Sequence, residues 1–215
     1  MSDRMLHSLE TLMICVIVVM IGAYACLEWA AAAETEAMPE EYRVDYAAIM
    51  QECALVGDVE TGRDAAMRRN AKIDALGLDY APVDFDELLL LSKIITAEAG
   101  SYWLPLDWKM SVGEVVLNRV ASPEFPDTVA DVIYQRGQYY DSGDEWFKRL
   151  LPYKDCVEAA WALLSGERVL RDRTVVFQAN FPQGSGTALY LHDKLLGGTW
   201  FCYTAKPWLY EEAQP

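Results

Sequence analysis

Glu98 is the residue whose type and position promise chemistry. It follows Leu91, Ile94 and Ile95 at helical spacing, so a carboxyl group falls on the apolar face of a helix, while Ser92, Lys93 and Thr96 fall on another. Gly100 supplies the C′ residue of that helix, which puts Glu98 in its last turn. Burial disfavours the ionised form, and the negative end of the helix dipole repels it. Both effects raise the pKa, and a carboxyl that keeps its proton near neutral pH can serve as a general acid. A Glu that reaches solvent or pairs with a basic side chain satisfies the same spacing.

Other chemistries have fewer residues to draw on. A zinc peptidase or amidase needs several His, Asp or Cys ligands. The chain has two His, and His7 precedes an apolar N-terminal segment, which leaves His192. A Cys–His peptidase needs Cys53, Cys156 or Cys202 beside His192. Cys53 and Cys156 fall in helical patterns as core residues, whereas Cys202 and His192 lie on neighbouring strands. No phosphate-cradling Gly loop or dinucleotide fingerprint is present. Neither a metal nor an organic cofactor is therefore expected. A formal charge of −15 removes any gain from counterion release, so nucleic acid is not an expected partner. Seven Trp and twelve Tyr fill cores first, but their flat faces also suit sugar rings.

The elements that position Glu98 follow from periodicity and punctuation. A helix begins at Asp84 or Asp86 and runs through the Leu88-Leu89-Leu90-Leu91 block to Ala99. A second covers residues 106–120 and ends before Ser122-Pro123. Asp127 or Thr128 opens a third that ends near Gly137, a loop with Gly143 follows, and residues 153–165 form a fourth. Residues 174–180, 187–191 and 199–204 are β-branched and aromatic and read as three strands. Helices first and a small sheet last make an α+β domain over residues 82–205, with a tail at 206–215.

Upstream, residues 45–56 and 58–76 show helical spacing and stop at Gly57 and Gly77, which describes a helical hairpin after an acidic linker, together residues 34–81. Residues 11–27 carry no charge. Arg4 precedes them, and Glu28, Glu34 and Glu36 follow, so the rest of the chain should lie outside the cytoplasm. Residues 1–33 read as a retained membrane helix, in preference to a signal cleaved at Ala31-Ala32-Ala33. Lipidation at Cys26 fits poorly after Ala23 and Tyr24. Export leaves Cys53, Cys156 and Cys202, an odd number that allows one bridge or three free thiols.

Several motifs occur in order: Ile95-Thr96-Ala97-Glu98-Ala99-Gly100, Val115-Val116-Leu117-Asn118-Arg119-Val120, Ser122-Pro123-Glu124-Phe125-Pro126, Val132-Ile133-Tyr134-Gln135, and Gly137-Gln138-Tyr139. With Val175-Val176-Phe177-Gln178-Ala179-Asn180 and Gly198-Thr199-Trp200-Phe201, they resemble the catalytic domain of the SleB/CwlJ-type cell-wall hydrolases over residues 85–203. The resemblance implies a lytic-transglycosylase-like α+β fold, peptidoglycan glycan strands as substrate, and Glu98 as the catalytic Glu. Asn118, Gln138, Tyr139 and Gln178 are then candidate sugar-positioning groups, and Tyr102, Trp103 and Tyr140 candidate stacking surfaces. The same polar residues would serve equally to tie loops to the core, and the aromatics to pack.

The chain departs from the family's pattern at several places, one of them a segment between Glu98 and Asn118 about two residues longer than in the spore enzymes. Many members carry a second Glu where this chain has Tyr102, and a His where it has Thr199. Glycosidases of the common types need two carboxyl groups, whereas a lytic transglycosylase can use one. The lone Glu98 therefore favours transglycosylation. A muramidase using Asp107, Asp141 or Glu145 is the alternative, and a catalytically silent wall-binding scaffold is another.

Overall fold

A computed structural model describes residues 43–211. The expected membrane helix or signal, residues 1–33, lies outside the described residues, as do most of the linker and the last four residues. Among the described residues no helix is long and apolar enough to cross a membrane. The chain divides at residue 45, and Tyr46–Pro215 forms a compact unit of its own.

The hairpin expected from Gly57 and Gly77 is formed by α1 (Tyr46–Val56) and α2 (Val59–Leu76). Asp58 caps α2 by accepting from Thr61 N, and Gly77 ends it in the left-handed region at φ 61°. The next helix, α3 (Phe85–Ala99), starts at Asp84, whose carboxylate accepts from Glu87 N at 3.0 Å. Phe85, Leu88, Leu91, Ile94 and Ile95 are fully buried along it. Gly100 differs from expectation: its φ of −72° is right-handed. Glycine is needed there because a side chain would strike the carbonyl of Thr96.

Central to the unit is α4 (Leu106–Val120), which packs against α3, α7 (Lys154–Leu164), α5 (Val129–Ile133) and the sheet. A helix enclosed in this way should be apolar all round. Instead it buries five polar side chains, each with a partner on a neighbouring segment or in its own turn. Lys109 pairs with Asp155, Ser111 donates to Asp107 O, and Arg119 donates to Val176 O. Glu114 accepts from Val169 N and Leu170 N, and Asn118 donates to the carbonyls of Asp172 and Val175. Gly113 lets α4 approach closely, for a Cβ there would lie 2.6 Å from Leu163 and 2.7 Å from Ile95.

Two short helices lie where none was expected. One, α6 (Glu145–Arg149), occupies the loop after Gly143 and is capped by Asp144; the other, α8 (Trp208–Glu211), lies in the C-terminal tail. Segments of five and four residues carry too little periodicity to be recognised as helix. The sheet is antiparallel in the order β1 (Val175–Ala179), β3 (Gly197–Tyr203), β2 (Thr187–Asp193), with Phe177 opposite Cys202 and Tyr190 opposite Trp200. At the β2–β3 turn, Asp193 Oδ1 accepts from Leu195 N and Leu196 N at 2.9 and 3.0 Å.

Candidate active site

An open cavity of about 710 Å³ lies at the C-terminal end of α3. Its walls come from four places: Thr96, Ala97 and Glu98 on α3; Ser101, Tyr102 and Leu104 in the next loop; Trp108 on α4; and Tyr153 and Asp155 at the start of α7. Leu196 and Thr199, at the β2–β3 turn and on β3, complete it. Thr199 is the position where the resemblance expects His.

Glu98 differs in part from its expected setting. It is open to water at the cavity surface, while Ser92 and Thr96, placed on the other face by their type, are buried. The reason is local. Ser92 Oγ donates to Leu88 O at 2.6 Å and Thr96 Oγ1 donates to Ser92 O at 2.8 Å, so neither hydroxyl needs water. Contacts with α1, α2, α4, α5 and α7 cover most of the circumference of α3 and leave the cavity side for Glu98. Exposure to a water molecule and full hydration are different things here. The cavity walls crowd the carboxyl, and that partial desolvation raises its pKa above the ordinary value of 4.5. No basic side chain pairs with Glu98 among the described residues.

Tyr139 and Tyr140 stand close enough to feel its charge. Burial raises the Tyr139 phenol, Arg119 draws it down, and Glu98 pushes it up. Burial, then Glu98, then Asp144 raise Tyr140. The Tyr139 ring lies 4.9 Å from the Arg119 guanidinium, which also covers Phe125 at 4.9 Å. Tyr140 stacks on Phe147 of α6 at 4.5 Å, so the unexpected short helix holds one neighbour of Glu98. Among the described residues, the Tyr139 hydroxyl is buried without a hydrogen-bond partner, as are the carbonyl oxygens of Gln178 and Gln135. Such orphaned groups are costly unless a ligand or water satisfies them.

The other sequence candidates divide. Tyr102 lines the cavity and is 85% exposed; Trp103 stands edge-on to it at 5.1 Å and is 44% exposed. Asn118 does not line the cavity. It is buried with its amide spent on Asp172 O and Val175 O, the loop-tying role that its type equally allowed. Gln138 is exposed and Gln178 half-buried, and neither lines the cavity. Asp107, Asp141 and Glu145, the carboxylates offered as second acids, also lie elsewhere.

The sequence reading missed Asp155. Nothing in its helical neighbourhood marks it, because its partner, Lys109, comes from α4. The Cys–His arrangement is not formed. His192 is opposite Gly198 and Cys202 opposite Thr187, a separation of four residues on β3, or about 13 Å. Cys53, Cys156 and Cys202 are free and buried. Burial, the larger cause, pushes the Cys156 thiol up to about 11, which makes it a poor nucleophile. Among the described residues no three His, Cys, Asp or Glu side chains form a group that could hold a metal ion.

Residues 105–183 match the family model described as Cell Wall Hydrolase. The match begins at α4 and ends after β1, so it covers the central helix and Asp155 and leaves out Glu98 and Thr199. No curated protein and no solved structure matches the chain. The match falls on the stretch that carries the motifs from Asn118 to Gln178, and it supports a SleB/CwlJ-type cell-wall hydrolase domain there and an enzyme that acts on the cell wall.

Proposed function

We propose that this enzyme cleaves peptidoglycan glycan strands between N-acetylmuramic acid and N-acetylglucosamine, outside the cytoplasm, as a lytic transglycosylase with Glu98 as its acid. The observation that carries the reading is the placement of Glu98: a carboxyl crowded by the walls of an open cavity, with no basic side chain paired to it among the described residues. The cavity volume suits one or more sugar rings, and Tyr102 on its wall, with Trp103 edge-on beside it, offers an exposed aromatic face.

In this mechanism Glu98 gives its proton to the bridging oxygen as the bond from that oxygen to C1 of muramic acid breaks. The resulting carboxylate takes the proton of the muramic acid C6 hydroxyl. O6 then closes on C1, and an anhydro ring forms. Glu98 ends protonated, ready for another cycle. Tyr139, whose buried hydroxyl has no hydrogen-bond partner among the described residues and which stands close enough to Glu98 to feel its charge, is the group we assign to sugar positioning.

Digestion of purified peptidoglycan by the wild type and Glu98→Gln, with the products weighed, tests the reading. Anhydro ends, one water lighter than reducing ends, are expected from the wild type and not from the variant. Equal release by both proteins would refute the role of Glu98. Reducing ends in place of anhydro ends would make the enzyme a muramidase.

A further inference from the structure

Asp155 is the one other carboxylate on the cavity wall among the described residues. It sits in the first turn of α7, and its setting is asymmetric. The side chain is 37% exposed, while that of Lys109, bonded to its Oδ2, is fully buried. Its Oδ1 lies 3.6 Å from Cys156 Sγ. A buried ammonium cannot be left without a counter-charge, so Lys109 holds Asp155 in place whatever enters the cavity. Apolar residues of similar volume often replace a buried ion pair without loss of stability, so packing alone is a weak reason for this one. Here the carboxylate instead keeps one side open to the space that Glu98 faces.

That space is suited to electrostatic work. Leu104 and Trp108 form part of its wall, and both are buried apolar side chains. A fixed charge beside such a wall is screened less than in water and needs no reorganisation as a reaction proceeds. Breaking a glycosidic bond spreads positive charge over C1 and the ring oxygen.

We propose that Asp155, fixed by Lys109, is a second catalytic carboxylate of this site, facing the sugar whose bond Glu98 protonates and stabilising the positive charge that develops there. The inference rests on the glycan-cleavage reading and deepens it. Asp155 forms no bond and exchanges no proton. The electron pair of the broken bond leaves with the bridging oxygen, the Glu98 proton goes to that oxygen, and the O6 proton returns to Glu98. Asp155 lowers the barrier by its charge.

The test compares the wild type with Asp155→Asn and with the paired replacement Lys109→Met plus Asp155→Leu, using purified peptidoglycan strands as substrate. The thermal midpoint, kcat, KM and product mass are measured for each. Asp155→Asn still accepts from Lys109 but leaves its charge uncompensated, so its thermal midpoint should fall; in the folded fraction kcat should be lower by about 100-fold, with KM little changed and the same product ends. The double variant removes the charges while keeping the volume, and should fold yet be as slow. A kcat within about threefold of wild type in a folded double variant would show the pair to be structural and overturn the proposal. So would a rise in KM alone, or products that change from reducing to anhydro ends, which would make Asp155 the base that activates water. A wild type that releases nothing removes the glycan-cleavage reading and this one with it. Release by the wild type with undiminished Asp155→Asn overturns this one alone.

Discussion

The Thr96 hydroxyl accepts a hydrogen bond from the Tyr153 backbone N–H at 3.2 Å and so ties the helix that carries Glu98 to the start of the helix that carries Asp155. Thr96 lies two residues before the first carboxylate and Tyr153 two before the second. One bond thus sets the relative height of both sides of the cavity. Thr96→Val keeps the shape and removes the oxygen. It should lower stability by about 1 kcal/mol and reduce turnover, whereas Thr96→Ser should retain both. Urea denaturation and peptidoglycan digestion of the two variants check this.

The raised pKa of Glu98 sets the sign of two pH dependences. A general acid works while protonated, so kcat/KM should fall as pH rises through the raised value, on a limb lying above 4.5. In stability, a carboxyl with a raised folded pKa contributes most below its unfolded value, and the contribution is lost as pH rises through the folded one. Glu98→Gln should therefore match the wild type in thermal midpoint at about pH 4 and exceed it at neutral pH. A variant less stable than wild type at neutral pH would contradict the desolvated setting.

Glu114 is the acidic residue whose burial has a structural purpose. It is 2% exposed and accepts from Val169 N at 2.7 Å and Leu170 N at 3.0 Å. Glu114→Ala leaves two backbone donors without partners and should cost about 2–5 kcal/mol. Glu114→Gln retains an acceptor oxygen and should cost less than half of that. Neither should alter kcat of the folded fraction, which active-site titration of the refolded variants can establish.

The close crossing of α4 with α3 and α7 depends on Gly113. Alanine favours helix over glycine by about 1 kcal/mol. Even so, Gly113→Ala should destabilise by about 1–3 kcal/mol, because Leu163 and Ile95 occupy the space of its methyl group and both are fully buried. The shift in chemical denaturation midpoint reads the balance.

Local order was legible in the sequence because its causes are local. Asp84 and Thr128, each one of two candidates, cap the helices they were expected to open, and α4 has the bounds that its apolar spacing and Ser122-Pro123 imply. The three strands follow the β-branched stretches to within two residues. Glu98 could be found the same way, since spacing alone puts it at the end of α3 on the side away from Lys93. Spacing could not tell which faces of α3 are covered, so it exposed Ser92 and Thr96 and buried Glu98, whereas the surrounding helices do the reverse. Nor could it show that Asn118 and Glu114 are spent on distant backbone groups. Asp155 and Lys109 are unremarkable until α7 is laid against α4, when one becomes the counter-charge of the other. A polar side chain's role depends on what stands opposite it, and only the packing of segments far apart in the chain decides that.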